Sequence, residues 1–272
     1  MLRNKLIQLI LQRHSYLCVG LDTDVQKLPL HLRENKNGIL LFNKAIIDAT
    51  RDYCVAYKPN IAFYESLGSK GWDILGETLE YIGAEHFTIA DAKRGDIGNT
   101  ASMYARTFFE TYSFDGITVA PYMGEDSVMP FLEYDNKWVI LLALTSNRGA
   151  FDFQFTKNIQ DEMLFETVIQ KAQQWGTINN LMYVIGATKA QYIERVRELA
   201  PSHFLLIPGI GVQGGSLHDI SLLGMNHDIG LLVNNTREII YASNGEDFAI
   251  HAQKKAKGIQ EEMSKYLQVR LL

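Results

Sequence analysis

The stretch Phe87-Thr88-Ile89-Ala90-Asp91-Ala92-Lys93-Arg94-Gly95-Asp96-Ile97-Gly98 runs from an apolar strand directly into a dense cluster of charge. Phe87 to Ala90 reads as a buried strand. Side chains two apart on a strand share a face, so Asp91 and Lys93 are expected to project together from the strand's C-terminal end. Gly95 then turns the chain and Asp96 follows, so Asp91, Lys93 and Asp96 alternate in sign within a few residues. Charges this close are costly to bury unless paired, and such arrangements tend to mark sites. A lone Asp-x-Lys at a strand end is commonly a surface ion pair; the longer string is more specific.

Working outward, similar apolar runs recur along the chain. They cover Tyr16 to Asp22, Cys54 to Asn60, His86 to Lys93, Gly116 to Tyr122, Trp138 to Ser146, Leu181 to Thr188, Phe204 to Gly211 and Gly230 to Asn235. Most are near-continuously apolar, as expected of parallel strands covered on both faces. Helical patterns lie between them. Phe42, Ala45, Ile46 and Ala49 fall on one helical face. Asn99 or Thr100 is the expected cap of a helix through Met103, Phe108 and Tyr112. Residues 161–175 and 190–199 read as two further helices. Phe248, Ala252, Ala256, Ile259, Met263 and Leu267 stripe a last one. Eight strand-helix alternations without a low-complexity linker predict an α/β fold, a (β/α)8 TIM barrel. Residues 1–272 are expected to form a single barrel domain with flanking helices at each end. A doubly wound open sheet is the alternative, but Val19-Gly20-Leu21-Asp22-Thr23-Asp24 is not its Gly-x-Gly-x-x-Gly fingerprint.

Bulk properties bound the function classes. Of 272 residues, 47% are hydrophobic and 21% charged, which fits a globular protein. A formal net charge of -5 offers no basic face for nucleic acid, so an anionic ligand must be held by local positive groups. Cys18 and Cys54 lie in apolar runs and are expected to be buried, reduced thiols, which fits a cytoplasmic location. No Cys/His cluster has zinc-ligand spacing. The patch Leu6-Ile7-Gln8-Leu9-Ile10-Leu11 is too short for a membrane span and reads as an amphipathic helix.

In such barrels the site is built at the C-terminal ends of the strands. Those ends offer Asp22, then Lys58 and Asn60, then Asp91, Lys93 and Asp96. The fifth run ends in Thr145, Ser146 and Asn147. The seventh opens into Pro208-Gly209-Ile210-Gly211-Val212-Gln213-Gly214-Gly215, and the eighth leads to Asn234-Asn235-Thr236-Arg237. Glycines let backbone N–H groups approach an anion closely, and Arg237 can add a bidentate contact. A phosphate site is therefore expected there, with residues 211–215 a candidate mobile segment. Lys58, Asp91, Lys93 and Asp96 nearly cancel in charge, so they can be buried together only if each is hydrogen-bonded. Acidic neighbours keep Lys93 protonated. That favours a proton donor over a Schiff-base nucleophile, which needs a neutral amine.

The string Asp91-Ala92-Lys93-Arg94-Gly95-Asp96-Ile97-Gly98 resembles the signature of the orotidine 5'-phosphate decarboxylase family. Gly20-Leu21-Asp22, Tyr57-Lys58-Pro59-Asn60, Val184-Ile185-Gly186-Ala187-Thr188 and Pro208-Gly209-Ile210-Gly211 extend the likeness over nearly the whole chain, which is similar to the longer bacterial branch. The resemblance implies conversion of orotidine 5'-monophosphate (OMP) to uridine 5'-monophosphate (UMP) and carbon dioxide, without metal or organic cofactor. It implies Lys93 as proton donor to carbon 6, with Asp91 against the substrate carboxylate. Lys58 would order the network, and Lys58 and Asp22 would contact the ribose. Ser146 would hydrogen-bond the pyrimidine, Pro208 and Gly209 would line the substrate, and Gln213 and Arg237 would clasp the phosphate. Asp96, Ile97 and Thr100 would reach the neighbouring subunit's site, so a homodimer with shared sites is implied. Three alternatives stay open: a magnesium-dependent sugar-phosphate enzyme of the same superfamily, a Schiff-base aldolase, and a nucleotide-binding barrel without activity.

Overall fold

The computed structural model describes residues 1–187, 190–210 and 215–271. Its strands are β1 (Leu17–Gly20), β2 (Ala56–Lys58), β3 (Phe87–Arg94), β4 (Gly116–Val119), β5 (Trp138–Leu144), β6 (Leu181–Ile185), β7 (Phe204–Pro208) and β8 (Leu231–Asn235). They form one closed barrel in sequence order, the (β/α)8 architecture that the alternation predicts. An open doubly wound sheet would leave two free edges and is excluded by that closure. The pairings are parallel, with Cys18 opposite Ala56, Ala56 opposite Phe87, Gly116 opposite Trp138, Val139 opposite Leu181 and Met182 opposite Phe204. Strands β1, β2, β4, β6 and β8 are buried along their whole length, as parallel strands covered on both faces should be. Each strand falls inside its expected run except β3, which extends one residue beyond it to Arg94. The expected ends of the sixth and seventh runs, Thr188 and Gly211, lie outside the described residues.

Packing gathers the chain into two compact units, Gln8–Ala92 with Asn234–Leu272, and Met1–Ile7 with Lys93–Val233. In the first, the helix Gly38–Thr50 turns Phe42, Ile46 and Ala49 inward. Phe42 stacks on Phe248 with ring centroids 4.9 Å apart. Phe248 opens the helix Phe248–Leu271, which buries Ala252, Ala256, Met263 and Leu267 at helical spacing. Each large aliphatic so removed from water is worth about 1.5–3 kcal/mol of transfer free energy. In the second unit, Trp138 opens β5 fully buried, edge-on to Phe204 at 6.3 Å. Phe165, Ile169 and Ala172 of the helix Leu164–Trp175 point inward. Leu6 and Ile10 of the helix Arg3–Arg13 are fully buried, which makes it the amphipathic element expected. Cys18 and Cys54 are buried, free thiols.

Three boundaries differ from expectation. The helix after β3 runs Gly98–Arg106, with Ile97 at its cap position and no side-chain cap. Asn99 and Thr100 therefore lie inside the first turn and cap nothing. Asp96 accepts from the Ile97 N–H instead (2.8 Å), which satisfies a donor just ahead of the helix. Further on, the backbone widens into a π turn at Thr107–Thr111. The helix expected from residue 161 begins at Leu164, because Asp161 is in the left-handed region (φ +65°) inside a turn closed by the Asn158 side chain. Glu166 supplies its cap, accepting from the Met163 N–H at 2.8 Å. By sequence residues 152–159 read as a loop, whereas Asp152 and Phe153 close the helical turn Ala150–Phe153.

Candidate active site

Within the first unit, β1, β2 and β3 present their C-terminal ends in register. Gly20 lies opposite Lys58, and Asn60 bridges to Asp91. The Asp91 N–H donates to the Pro59 carbonyl (3.0 Å), which seats the acidic residue beside the end of β2. Lys58 is buried and its Nζ donates to Asp91 Oδ2 at 2.6 Å. Burial alone would pull the Lys58 pKa down, but the carboxylates of Asp91 and Asp22 outweigh it and hold the ammonium above the usual lysine value. Isolated, such a charge would be expensive to bury; paired and hydrogen-bonded, it is tolerable. Asn60 caps the helix Ile61–Glu65, its side chain accepting from the Ala62 N–H. Of the expected cluster of Lys58, Asp91, Lys93 and Asp96, the first unit pairs Lys58 with Asp91, and Asp22 acts on Lys58 as well. Arg237 is the first residue of the short helix Arg237–Ile240 and is exposed. Its neighbour Glu238 accepts from Asn235 (3.0 Å) and from Lys255 (3.4 Å).

In the second unit, Lys93 is half of the surprise in β3. Its backbone is left-handed (φ +48°), a conformation uncommon for a residue with a long side chain. Regular period-two alternation therefore does not by itself describe this strand end. The Lys93 N–H donates to the Thr118 hydroxyl at 2.9 Å, and the Ala120 N–H donates to the Arg94 carbonyl at 2.8 Å. Arg94 lies over the rings of Tyr104 and Phe108 at 5.3 and 5.5 Å. Asp96 follows at intermediate exposure, with Ile97 and Thr100 exposed. Ser146 follows β5, and Gly186 packs on its backbone: a methyl at 186 would sit 2.6 Å from the Ser146 nitrogen. Pro208 ends β7, and Gly209 turns the chain with φ +93°. Ile210 bridges to Gly215. Gln213 and the rest of 211–214 lie outside the described residues, so the proposed loop motion and the Gln213 contact are not described.

Sequence reasoning missed Thr118, Asn43, Tyr64 and Tyr241. Thr118 sits within β4, Asn43 and Tyr64 lie in helices, and Tyr241 follows the short helix Arg237–Ile240; no local pattern marks them. Among the described residues, no group of three His, Cys, Asp or Glu side chains is arranged to hold a metal ion. Among them also, no helix is long and apolar enough to cross a membrane.

Fold and site together define a class: a (β/α)8-barrel enzyme with a buried lysine paired to an aspartate at its strand ends. Residues 15–249 match the model of the orotidine 5'-phosphate decarboxylase / HUMPS family. An orotidine 5'-phosphate decarboxylase of Bacteroides fragilis is 55% identical over 268 residues, covering 97% of this chain and 98% of the relative. The structure of Leishmania donovani OMP decarboxylase superposes with a TM-score of 0.80 at 34% identity, covering 96% of this chain and 99% of that one. That of Leishmania donovani UMP synthase gives 0.80 at 37% identity; it covers 93% of this chain, which spans 56% of that longer chain. The chain belongs to the orotidine 5'-phosphate decarboxylase / HUMPS family.

Proposed function

We propose that this protein decarboxylates OMP to UMP and carbon dioxide, the last step of UMP synthesis, using no metal or organic cofactor. The observation that carries the reading is the pair of buried Lys58 with Asp91 at 2.6 Å, Asp91 standing two residues before Lys93 in the family's signature string. Loss of carbon dioxide leaves an electron pair in the ring plane at carbon 6, where the π system delocalises it poorly. With no electron sink, preorganised charge must supply the stabilisation. An ammonium at carbon 6 interacts better with a localised carbanion than with the spread charge of a carboxylate, which is differential transition-state binding.

In this reading Lys93 gives its proton to carbon 6. Asp91 faces the substrate carboxylate, while Lys58 holds Asp91 in place and contacts the ribose. Asp22 takes a ribose hydroxyl and Ser146 the pyrimidine. Pro208 and Gly209 line the substrate, and Gln213 with Arg237 takes the phosphate. Strain held at Lys93 supports its role, since left-handed non-glycine residues gather at functional positions.

The reading treats residues 1–272 as one cytoplasmic barrel domain that works as a homodimer, with Asp96, Ile97 and Thr100 serving the partner's site. Ile97, Met103, Tyr122 and Met123 expose 55%, 47%, 88% and 45% of their surface on the segments after β3 and β4. That much apolar exposure in one region supports a partner there.

The test is the ultraviolet absorbance of OMP mixed with the purified protein in EDTA. A fall that tracks UMP formation is expected. Turnover only on adding magnesium, or only of a sugar phosphate, would overturn the proposal in favour of the family's other chemistry.

A further inference from the structure

We propose that Tyr241 is a positioning residue for Asp22, acting through its hydroxyl on the backbone of the loop that follows β1. The inference rests on the decarboxylase reading, in which Asp22 takes a ribose hydroxyl. Residues 21–24 form neither strand nor helix, and segments of that kind are ordinarily the mobile parts of a fold. Here each of the four is held by a side chain or backbone from another element. The Leu21 carbonyl accepts from the Tyr64 hydroxyl at 3.0 Å, and its N–H donates to the Lys58 carbonyl at 3.1 Å. The Asp22 carbonyl accepts from the Tyr241 hydroxyl at 3.0 Å. The Thr23 hydroxyl donates to Asn43 Oδ1 at 2.6 Å. The Asp24 N–H donates to the Tyr241 oxygen at 2.8 Å.

One phenol thus bridges the two peptide groups on either side of Thr23, donating to one and accepting from the other. Asn43 completes the network. It is fully buried, and its amide donates to the Tyr64 hydroxyl (3.1 Å) and to Thr78 (3.0 Å). A buried polar network that is fully satisfied rigidifies what it holds. What it holds here is the backbone of the residue whose carboxylate acts on Lys58.

Tyr241 also closes the short helix that begins with Arg237, its N–H donating to the Arg237 carbonyl at 3.2 Å. At the other end of that helix Thr236 lies so close to Gly20 that a methyl at position 20 would overlap its side chain. The loop bearing Asp22 is therefore tied to the end of the helix bearing Arg237 through Tyr241, and the strand end before it packs closely on the start of that helix at Thr236. Burial pushes the Tyr241 pKa up to about 12, so its hydroxyl remains a donor at any working pH.

The test uses the full chain with UMP, 2'-deoxy-UMP and 3'-deoxy-UMP as probes. Tyr241→Phe keeps the ring stacked on Phe42 (6.0 Å) and removes only the bridging oxygen. UMP affinity is expected to fall about tenfold. One deoxy analogue, the one lacking the hydroxyl that Asp22 takes, is expected to bind wild type and variant within twofold of each other; Asp22→Asn should single out the same analogue. Tyr64→Phe releases the Leu21 end of the loop and should repeat the selective pattern, and it carries the test if Tyr241→Phe does not fold. Equal losses for all three nucleotides, or no loss for UMP, would overturn the inference and leave the decarboxylase reading intact. A wild-type protein that binds no UMP would overturn both.

Discussion

Lys93 is the residue on which the account turns, and its backbone is as informative as its side chain. A left-handed conformation costs an L-residue with a Cβ roughly 1–2 kcal/mol, and glycine avoids that cost while losing more freedom on folding. With φ +48°, Lys93→Gly is expected to leave a protein up to about 1 kcal/mol more stable than Lys93→Ala in denaturant titration, although neither is active. A glycine variant no more stable than the alanine variant would show that the conformation is not strained. The chemistry of this position is written in the sequence: Asp91, Lys93 and Asp96 stand out as charges at the end of an apolar strand. The sign of φ is not written there, because nothing in a lysine announces it; in the fold the Lys93 N–H donates to the Thr118 hydroxyl of β4. Lys58 is legible for a similar reason, as a charge ending an apolar run. Its partner at 2.6 Å comes from a strand pairing that the eightfold alternation itself predicts.

Elements were legible where periodicity governs and illegible where a single side chain sets a boundary. The stripe from Phe248 to Leu267 gives its helix directly. The start at Leu164 depends on Asn158 and Glu166 closing a turn, and the start at Gly98 on a carboxylate just ahead of the helix. The entry to β7 carries a further consequence. His203 is buried against the Tyr183 ring (5.3 Å), and neither of its ring nitrogens has a hydrogen-bond partner among the described residues. Burial, with the cations of Arg3 and Arg197 nearby, lowers its pKa from the ordinary 6.5 to about 4. Between those two pH values the unfolded chain binds a proton there that the folded chain refuses. Stability is therefore complete above pH 6.5 and falls as pH drops toward 4, by about 3 kcal/mol over the window. Chemical denaturation at pH 7.5 and 4.5 should show a smaller loss for His203→Gln than for wild type. The same loss in both proteins would remove His203 as the cause.

At the scale of the molecule, the barrel was legible because eight apolar runs alternate with helical stripes, and the closed order β1 to β8 is their simplest solution. The clamp on residues 21–24 was not, since Tyr64 and Tyr241 reach it from 43 and 219 residues away. A pattern at that separation belongs to the fold and leaves no trace in local spacing. Association belongs to this scale as well. If the exposed apolar side chains after β3 and β4 meet a second copy, sedimentation should give a dimer for wild type, and Tyr122→Glu should shift it toward monomer. A wild-type monomer at micromolar concentration would contradict the shared-site arrangement. The central claim is that fixed charge alone, with Lys93 as the proton donor, carries the decarboxylation. The most direct measurement is kcat/KM for OMP in EDTA, for wild type and Lys93→Ala side by side. The account predicts metal-free turnover in wild type and a loss of at least about 10,000-fold in the variant. Equal turnover by the two proteins would contradict it.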